Sequence, residues 1–219
     1  MPSASASESP VRGVPFWGRW RPRTRRWGLV ALLVGWGLAA AAGARALWVH
    51  ALTAGPSEAA PSTLPADLAA RTRPGAWSLW VFVHPRCPCS RATLTELARL
   101  MEDSAGHLTT RVFVGSPRQA PRGWERGELW AQAAAIPGVE VTADVDGAMA
   151  RRLGAQTSGQ VVLYGPDGTH QFSGGLTVAR GHEGDSEGGR AIRALLASRP
   201  ASSSSTPVFG CLLGTPASP

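Results

Sequence analysis

The sequence predicts an α/β domain carried behind a single N-terminal apolar helix. Three observations predict it. An apolar, β-favouring run from Leu79 to Val83 breaks at Pro85 and Pro88, and Leu94, Leu97, Ala98 and Met101 then recur at helical spacing. Strand and helix signals keep alternating as far as residue 198 and include one hairpin. Finally, Gly28 to Ala44 is uncharged and mostly apolar.

The elements follow in order. Residues 1–27 hold six arginines against one glutamate and read as a cytoplasmic basic arm. Residues 28–49 read as a transmembrane signal-anchor. Trp17, Trp20, Trp27 and Trp48 suit its two interfaces, and Arg45 lies close enough to its end to snorkel. Arginines before the run place the N-terminus inside by the positive-inside rule. The protein is then single-pass in the inner membrane, with its C-terminal domain in the periplasm or otherwise outside the cytoplasmic membrane. A cleaved signal peptide is the alternative, since Ala42-Gly-Ala44 and Ala44-Arg-Ala46 resemble cleavage sites, but the leader before the apolar run is long for one. Residues 50–76, rich in Ala, Pro, Ser and Thr, read as a flexible linker with a short helical turn near Ala66 to Ala70.

The domain occupies residues 77–199. After the first strand and helix come a second strand over Leu108 to Gly115, a helix over Trp124 to Ala135 and a short strand over Val139 to Ala143. A turn and short helix close at Gly154. Gln160 to Tyr164 and Thr169 to Ser173 flank Gly165-Pro-Asp-Gly168 as a hairpin, and a final helix spans Gly189 to Ser198. Asp144 and Asp146 lack the remaining ligands of a calcium loop and read as caps. Residues 200–219 read as a flexible tail with the third cysteine. The net charge of +7 resides largely in the N-terminal arm, so the domain is only mildly basic and nucleic acid is rejected as a partner.

Two of the three cysteines, Cys87 and Cys89, stand in the turn before the first domain helix. A thiol there meets the positive end of the helix dipole and unpaired N–H groups, which favour the thiolate. Cys87 is therefore expected to alkylate faster than Cys89. Inert packing explains two thiols flanking a proline poorly. An odd cysteine count in an oxidising compartment leaves a thiol to be exchanged. Cys211 follows a Ser-rich spacer and is bracketed by Val208, Phe209, Leu212 and Leu213, so the tail can fold back and offer it as a resolving thiol or third soft ligand.

The stretch resembles the thioredoxin superfamily, in which a strand Phe, four residues and a Cys-x-x-Cys pair open a helix. Phe82 on that Phe puts Cys87 at the nucleophile, Ser90 at the second cysteine and Arg91 at the basic residue that follows. Asp-x-x-Gly…Leu-Gly-x-x-Thr, a strand and Pro-Asp-Gly are similar to the membrane-anchored TlpA/ResA branch, whose cis-proline position falls on Gly159. His-Pro-x-Cys-Pro-Cys-Ser-Arg-Ala, Ser-Gly-Gly-Leu-Thr, Arg-Gly-His-Glu-Gly-Asp and Pro-Val-Phe-Gly-Cys resemble the bacterial RedB-type thioredoxin-like group over residues 77–213. The chain departs from it in having Leu212 after the tail cysteine. The resemblance implies a thioredoxin-like three-layer α/β/α fold with a mixed central sheet. It places Ser90, Gly159 and, in the loop after the hairpin, His182 at the rim of the cysteines.

Three function classes follow. A periplasmic thiol–disulfide oxidoreductase acting on a protein thiol or disulfide partner would use Cys87, with Cys89 or Cys211 resolving, and no cofactor. A Cu(I) carrier would use Cys87 and Cys89 with His84 or His182 adding nitrogen. A non-catalytic thioredoxin-like binding module is permitted by Ser90 and Gly159.

Overall fold

The computed structural model describes residues 22–104 and 106–214; most of the basic arm and the last five residues of the tail lie outside them. The described chain divides at Leu47/Trp48 into two units. The first is built on α1, Pro22–Leu52, whose last turn enters the second unit. Within α1, Arg26–Leu52 contains an 18-residue stretch of mean hydropathy 1.7, none of it buried. At 1.5 Å per residue those 27 residues extend about 40 Å, enough to cross a hydrocarbon core of about 30 Å. Among the described residues, one helix is thus long and apolar enough to span a membrane.

The second unit holds a five-stranded mixed sheet in the order β3-β2-β1-β4-β5. Its strands are β1 Trp77–Val83, β2 Leu108–Ser116, β3 Val139–Val145, β4 Gln160–Tyr164 and β5 His170–Gly175. β1, β2 and β3 run parallel, and β4 lies antiparallel to both β1 and β5. The helices are α2 Ala66–Ala69, α3 Ser90–Asp103, α4 Glu128–Ala134, α5 Ala148–Arg152 and α6 Glu187–Leu196.

Alternation along β1 sorts its side chains onto two faces. Leu79, Val81 and Val83 meet Leu94, Leu97 and Leu100 of α3, Leu129 and Ala133 of α4, and Ile192 of α6. Trp80 and Phe82 turn the other way, with Phe113, Val162 and Tyr164, onto Leu64, Leu68, Ala150 and Leu153. Both faces being covered, β1 is apolar without a break from Leu79 to Val83, as suits a central strand. The expected α/β/α layering is present, its second helical layer consisting of the short α2 and α5.

Three stretches differ from their sequence readings. The helix expected from Trp124 begins only at Glu128, because Trp124 is in a turn closed on the Pro121 carbonyl and Gly127 is extended. The stretch read as a flexible linker is instead a belt across the second face. Gly55 N–H donates to Val208 O at 2.8 Å, Glu58 N–H to Gly154 O at 3.0 Å and Leu64 N–H to Gly168 O at 2.8 Å, while Leu64 and Leu68 are buried. The tail, also read as flexible, is hydrogen-bonded to the domain as far as Leu213. Composition missed both because Pro and Ser disfavour regular elements without opposing an extended path along a surface.

Two histidines in this unit set an expected pH dependence. Burial, reinforced at His84 by the Arg86 charge, lowers the pKa of both His84 and His170 from the ordinary value of 6.5. The His170 Nε2 atom is buried without a partner. Unfolded imidazoles take up protons below about 6.5 while these two resist, so protonation favours the unfolded chain. The unfolding temperature is therefore expected to fall from pH 7 to pH 5, and His170→Gln to flatten that slope. A midpoint that stays level or rises on acidification would contradict this assignment.

Candidate functional site

The strand–turn–helix at the end of β1 sets the cysteines. The Cys87 N–H donates to His84 O at 3.0 Å and the Ser90 N–H to Cys87 O at 3.1 Å, so the turn winds directly into α3. Cys87 is fully buried, Cys89 half-buried and Cys211 exposed, and all three are free thiols. Burial alone would push the Cys87 thiol up. Hydrogen bonds from Ser90 and from the Cys211 side chain and backbone outweigh it and hold the thiol below its ordinary value. Burial, and then the Cys87 charge, push Cys89 up, with Arg180 acting against them. Cys211 is pushed up to about 12 by burial and by its hydrogen bond to Cys87. One thiolate thus forms first, at Cys87, and its two neighbours stay protonated around it.

Opposite the turn lies the segment leading into β4. The Ser158 Oγ accepts from His84 N–H at 2.7 Å and lies 2.6 Å from the buried Ser90 Oγ. Ser90 therefore joins Cys87 to the opposite wall. Gly159 donates its N–H to Phe82 O at 2.7 Å with φ +93°. A Cβ there would be strained in itself and would stand 2.8 Å from Thr93 Oγ1, which accounts for glycine at that position.

The tail closes the third side. Ser158 N–H donates to Cys211 O and Leu213 N–H to Gln156 O, each at 2.8 Å, and Thr157 pairs antiparallel with Leu212. Arg180 reaches across. Its guanidinium donates to Gly210 O, to His50 O at 3.1 Å and to Thr53 O at 3.3 Å, and its charge bears on Cys89 and Cys211. Composition gave no sign of Arg180 or Ser158, because each acts through a contact made by folding.

The histidines fall elsewhere. His182 is exposed, with its Nδ1 2.9 Å from Arg180 O, so the cation beside the thiols comes from Arg180. His84 packs edge-on to Trp124 at 5.8 Å, and its Nδ1 accepts from the Arg86 N–H at 3.3 Å. Among the described residues no group of three or more His, Cys, Asp or Glu is placed to hold a metal ion. The donor set proposed for Cu(I), Cys87 and Cys89 with His84, is therefore not gathered at one point.

A parallel β-α-β unit with cysteines at the end of its first strand, joined through an antiparallel hairpin to a closing helix in the order β2-β1-β4-β5, decides the fold class. The fold is thioredoxin-like. Solved structures share it. A hypothetical protein of Sinorhizobium meliloti 1021 is 21% identical, with a TM-score of 0.54 over 77% of this chain and 96% of its own. An uncharacterized conserved protein of Geobacillus kaustophilus is 19% identical, with a TM-score of 0.56 over 77% of this chain and 94% of its own. A secreted disulfide oxidoreductase of Mycobacterium tuberculosis, homologous to E. coli DsbE, is 17% identical, with a TM-score of 0.41 over 65% and 95%. No protein-family profile and no curated protein matches the chain. The first two likenesses bear on the fold alone.

Proposed function

We propose that this protein is a membrane-anchored thiol–disulfide oxidoreductase working outside the cytoplasmic membrane, with Cys87 as nucleophile and Cys211 as the resolving thiol. The observation that carries the reading is the tail's placement of Cys211 on Ser158, whose side chain is tied through Ser90 to the turn holding the one thiol whose pKa is lowered. The Cys87 thiolate attacks one sulfur of a partner disulfide. A Cys87–partner disulfide forms, and the other partner sulfur leaves as a thiolate and takes up a proton. Cys211, deprotonated, then attacks the Cys87 sulfur. The second partner thiol is released and a Cys87–Cys211 disulfide remains. Two electrons pass from the cysteine pair to the partner, and the same bonds run in reverse when the partner is oxidised.

Electrostatics favour that order. Part of what holds Cys211 protonated is the Cys87 thiolate, and that charge vanishes once Cys87 enters a mixed disulfide. Cys89 is a poorer resolving thiol, because a disulfide across a single intervening residue strains the bond geometry. The anchor reading rests on the span within α1 and on the arginines that precede it in the sequence.

One experiment tests both parts. Protein from carbonate-washed membranes, oxidised and trapped at low pH, is expected to give peptides linked Cys87–Cys211. Recovery of a shortened protein in the wash would overturn the anchor. A Cys87–Cys89 linkage with Cys211 free would overturn the resolving role.

A further inference from the structure

The tail seals the site it serves. Cys87 has no exposed surface while residues 210–213 pair with Gln156–Ser158, so no outside sulfur reaches it in this arrangement. The pairing is that of one extended strand on another. It takes the Ser158 N–H and the Gln156 carbonyl, the Thr157–Leu212 bridge lies between them, and the cysteine of the incoming strand stands beside Cys87. Any extended segment that brings a cysteine to Cys87 along this edge must use the same two backbone groups. Tail and partner therefore exclude each other.

The edge is also selective at one point. At Gly210, immediately before the tail cysteine, a Cβ would stand 1.9 Å from Ser158 O and 2.9 Å from Ser158 C. Those atoms are backbone, and Ser158 is fixed by Cys211 on one side and by His84 and Ser90 on the other. They cannot retreat, so only glycine lets the two strands approach so closely. Behind Gly210 the tail has its own anchor. Val208 is buried and its carbonyl accepts from Gly55, so residues 210–213 can lift away while the segment before them stays in place.

We propose that residues 210–213 are the resident occupant of an edge that selects an extended segment whose cysteine directly follows a glycine, and that an outside polypeptide of this kind reaches Cys87 only by displacing the tail. The edge thus controls both access and selection. Each strand exchange accompanies a sulfur exchange, because the partner arrives with its own disulfide and the returning tail delivers Cys211. This rests on the exchange reading for its chemistry, but the strand competition itself needs no redox step.

The test uses a peptide without a thiol. The probe is a fluorescent peptide of residues 207–214 carrying Cys211→Ser, and its anisotropy is measured with the full chain in detergent micelles. In the Gly210→Ala chain the tail's own Cβ collides with Ser158 and frees the edge. This chain is expected to bind the peptide at least about ten-fold tighter than the unaltered chain, since the probe no longer competes with a tethered strand. A peptide that also carries Gly210→Ala is expected to bind at least about ten-fold more weakly, having lost the backbone pairing at Ser158. A chain ending at Ser205 provides a second open edge should the first variant fold poorly. Equal binding to open and unaltered chains, equal binding by both peptides, or no binding to either open chain would overturn the proposal. Failure of the exchange reading appears separately, in the disulfide linkages.

Discussion

Cys87→Ser is expected to abolish thiol–disulfide exchange, while Cys89→Ser retains most of it. The two thiols are separated by one residue, yet their surroundings divide them. Cys87 receives hydrogen bonds from Ser90 and Cys211, which overcome its burial, whereas Cys89 is pushed up by burial and by the charge on Cys87. The thiolate is the attacking species, so at neutral pH the reaction passes through Cys87. Reactivity toward an outside reagent does not follow thiolate content alone, because Cys87 is fully buried. With the tail in place, burial of Cys87 works against the expectation that it alkylates faster than the half-buried Cys89. Steady-state reduction of a small disulfide substrate, with an external thiol as reductant, by the parent and the two variants decides the matter. Activity retained in Cys87→Ser would remove Cys87 as nucleophile, and a parent protein without exchange activity would support a non-catalytic binding module.

Phe82→Ala is expected to cost about 3–5 kcal/mol, as large-to-small changes of a buried aromatic do. Phe82 is 1% exposed, stacks on Phe113 with ring centroids 5.5 Å apart and belongs to the second core with Trp80, Tyr164 and Leu153. Its carbonyl also accepts from Gly159 N–H, so a shift of β1 around the cavity would reach the segment facing the cysteines. Phe82→Leu, which fills more of the space, is expected to lose clearly less. Calorimetric unfolding of the chain in micelles is the measurement. A loss below about 1 kcal/mol for the alanine variant would mean that the belt and sheet close over the gap.

The sequence by itself determined the fold class and the place of Cys87 in the turn that opens α3. Both rest on short-range physics. The run from Leu79 to Val83 can only be buried on both faces, the proline break ends it, and the following periodicity places a helix directly behind Cys87. β4 fell on the residues expected because an alternation-free apolar run next to Pro-Asp-Gly leaves little freedom. The helical span within α1 was equally legible, since an uncharged apolar run of that length signals itself.

Only the tertiary structure decided what surrounds Cys87. Ser158 and Arg180 lie 71 and 93 positions beyond Cys87 in the numbering, and neither residue type nor spacing marks them. They matter because the β4 entry and the loop after β5 fold to the same end of the sheet as the cysteine turn. The belt at 55–64 and the tail at 205–213 were invisible for a related reason. Each is an extended path with no internal hydrogen bonds and no period of its own. Its conformation is fixed by the partner it lies on, as Val208 is by Gly55 and Cys211 by Ser158. Local sequence encodes elements that satisfy their own backbone, and a segment whose backbone groups are satisfied elsewhere acquires its structure only when the rest of the chain has folded.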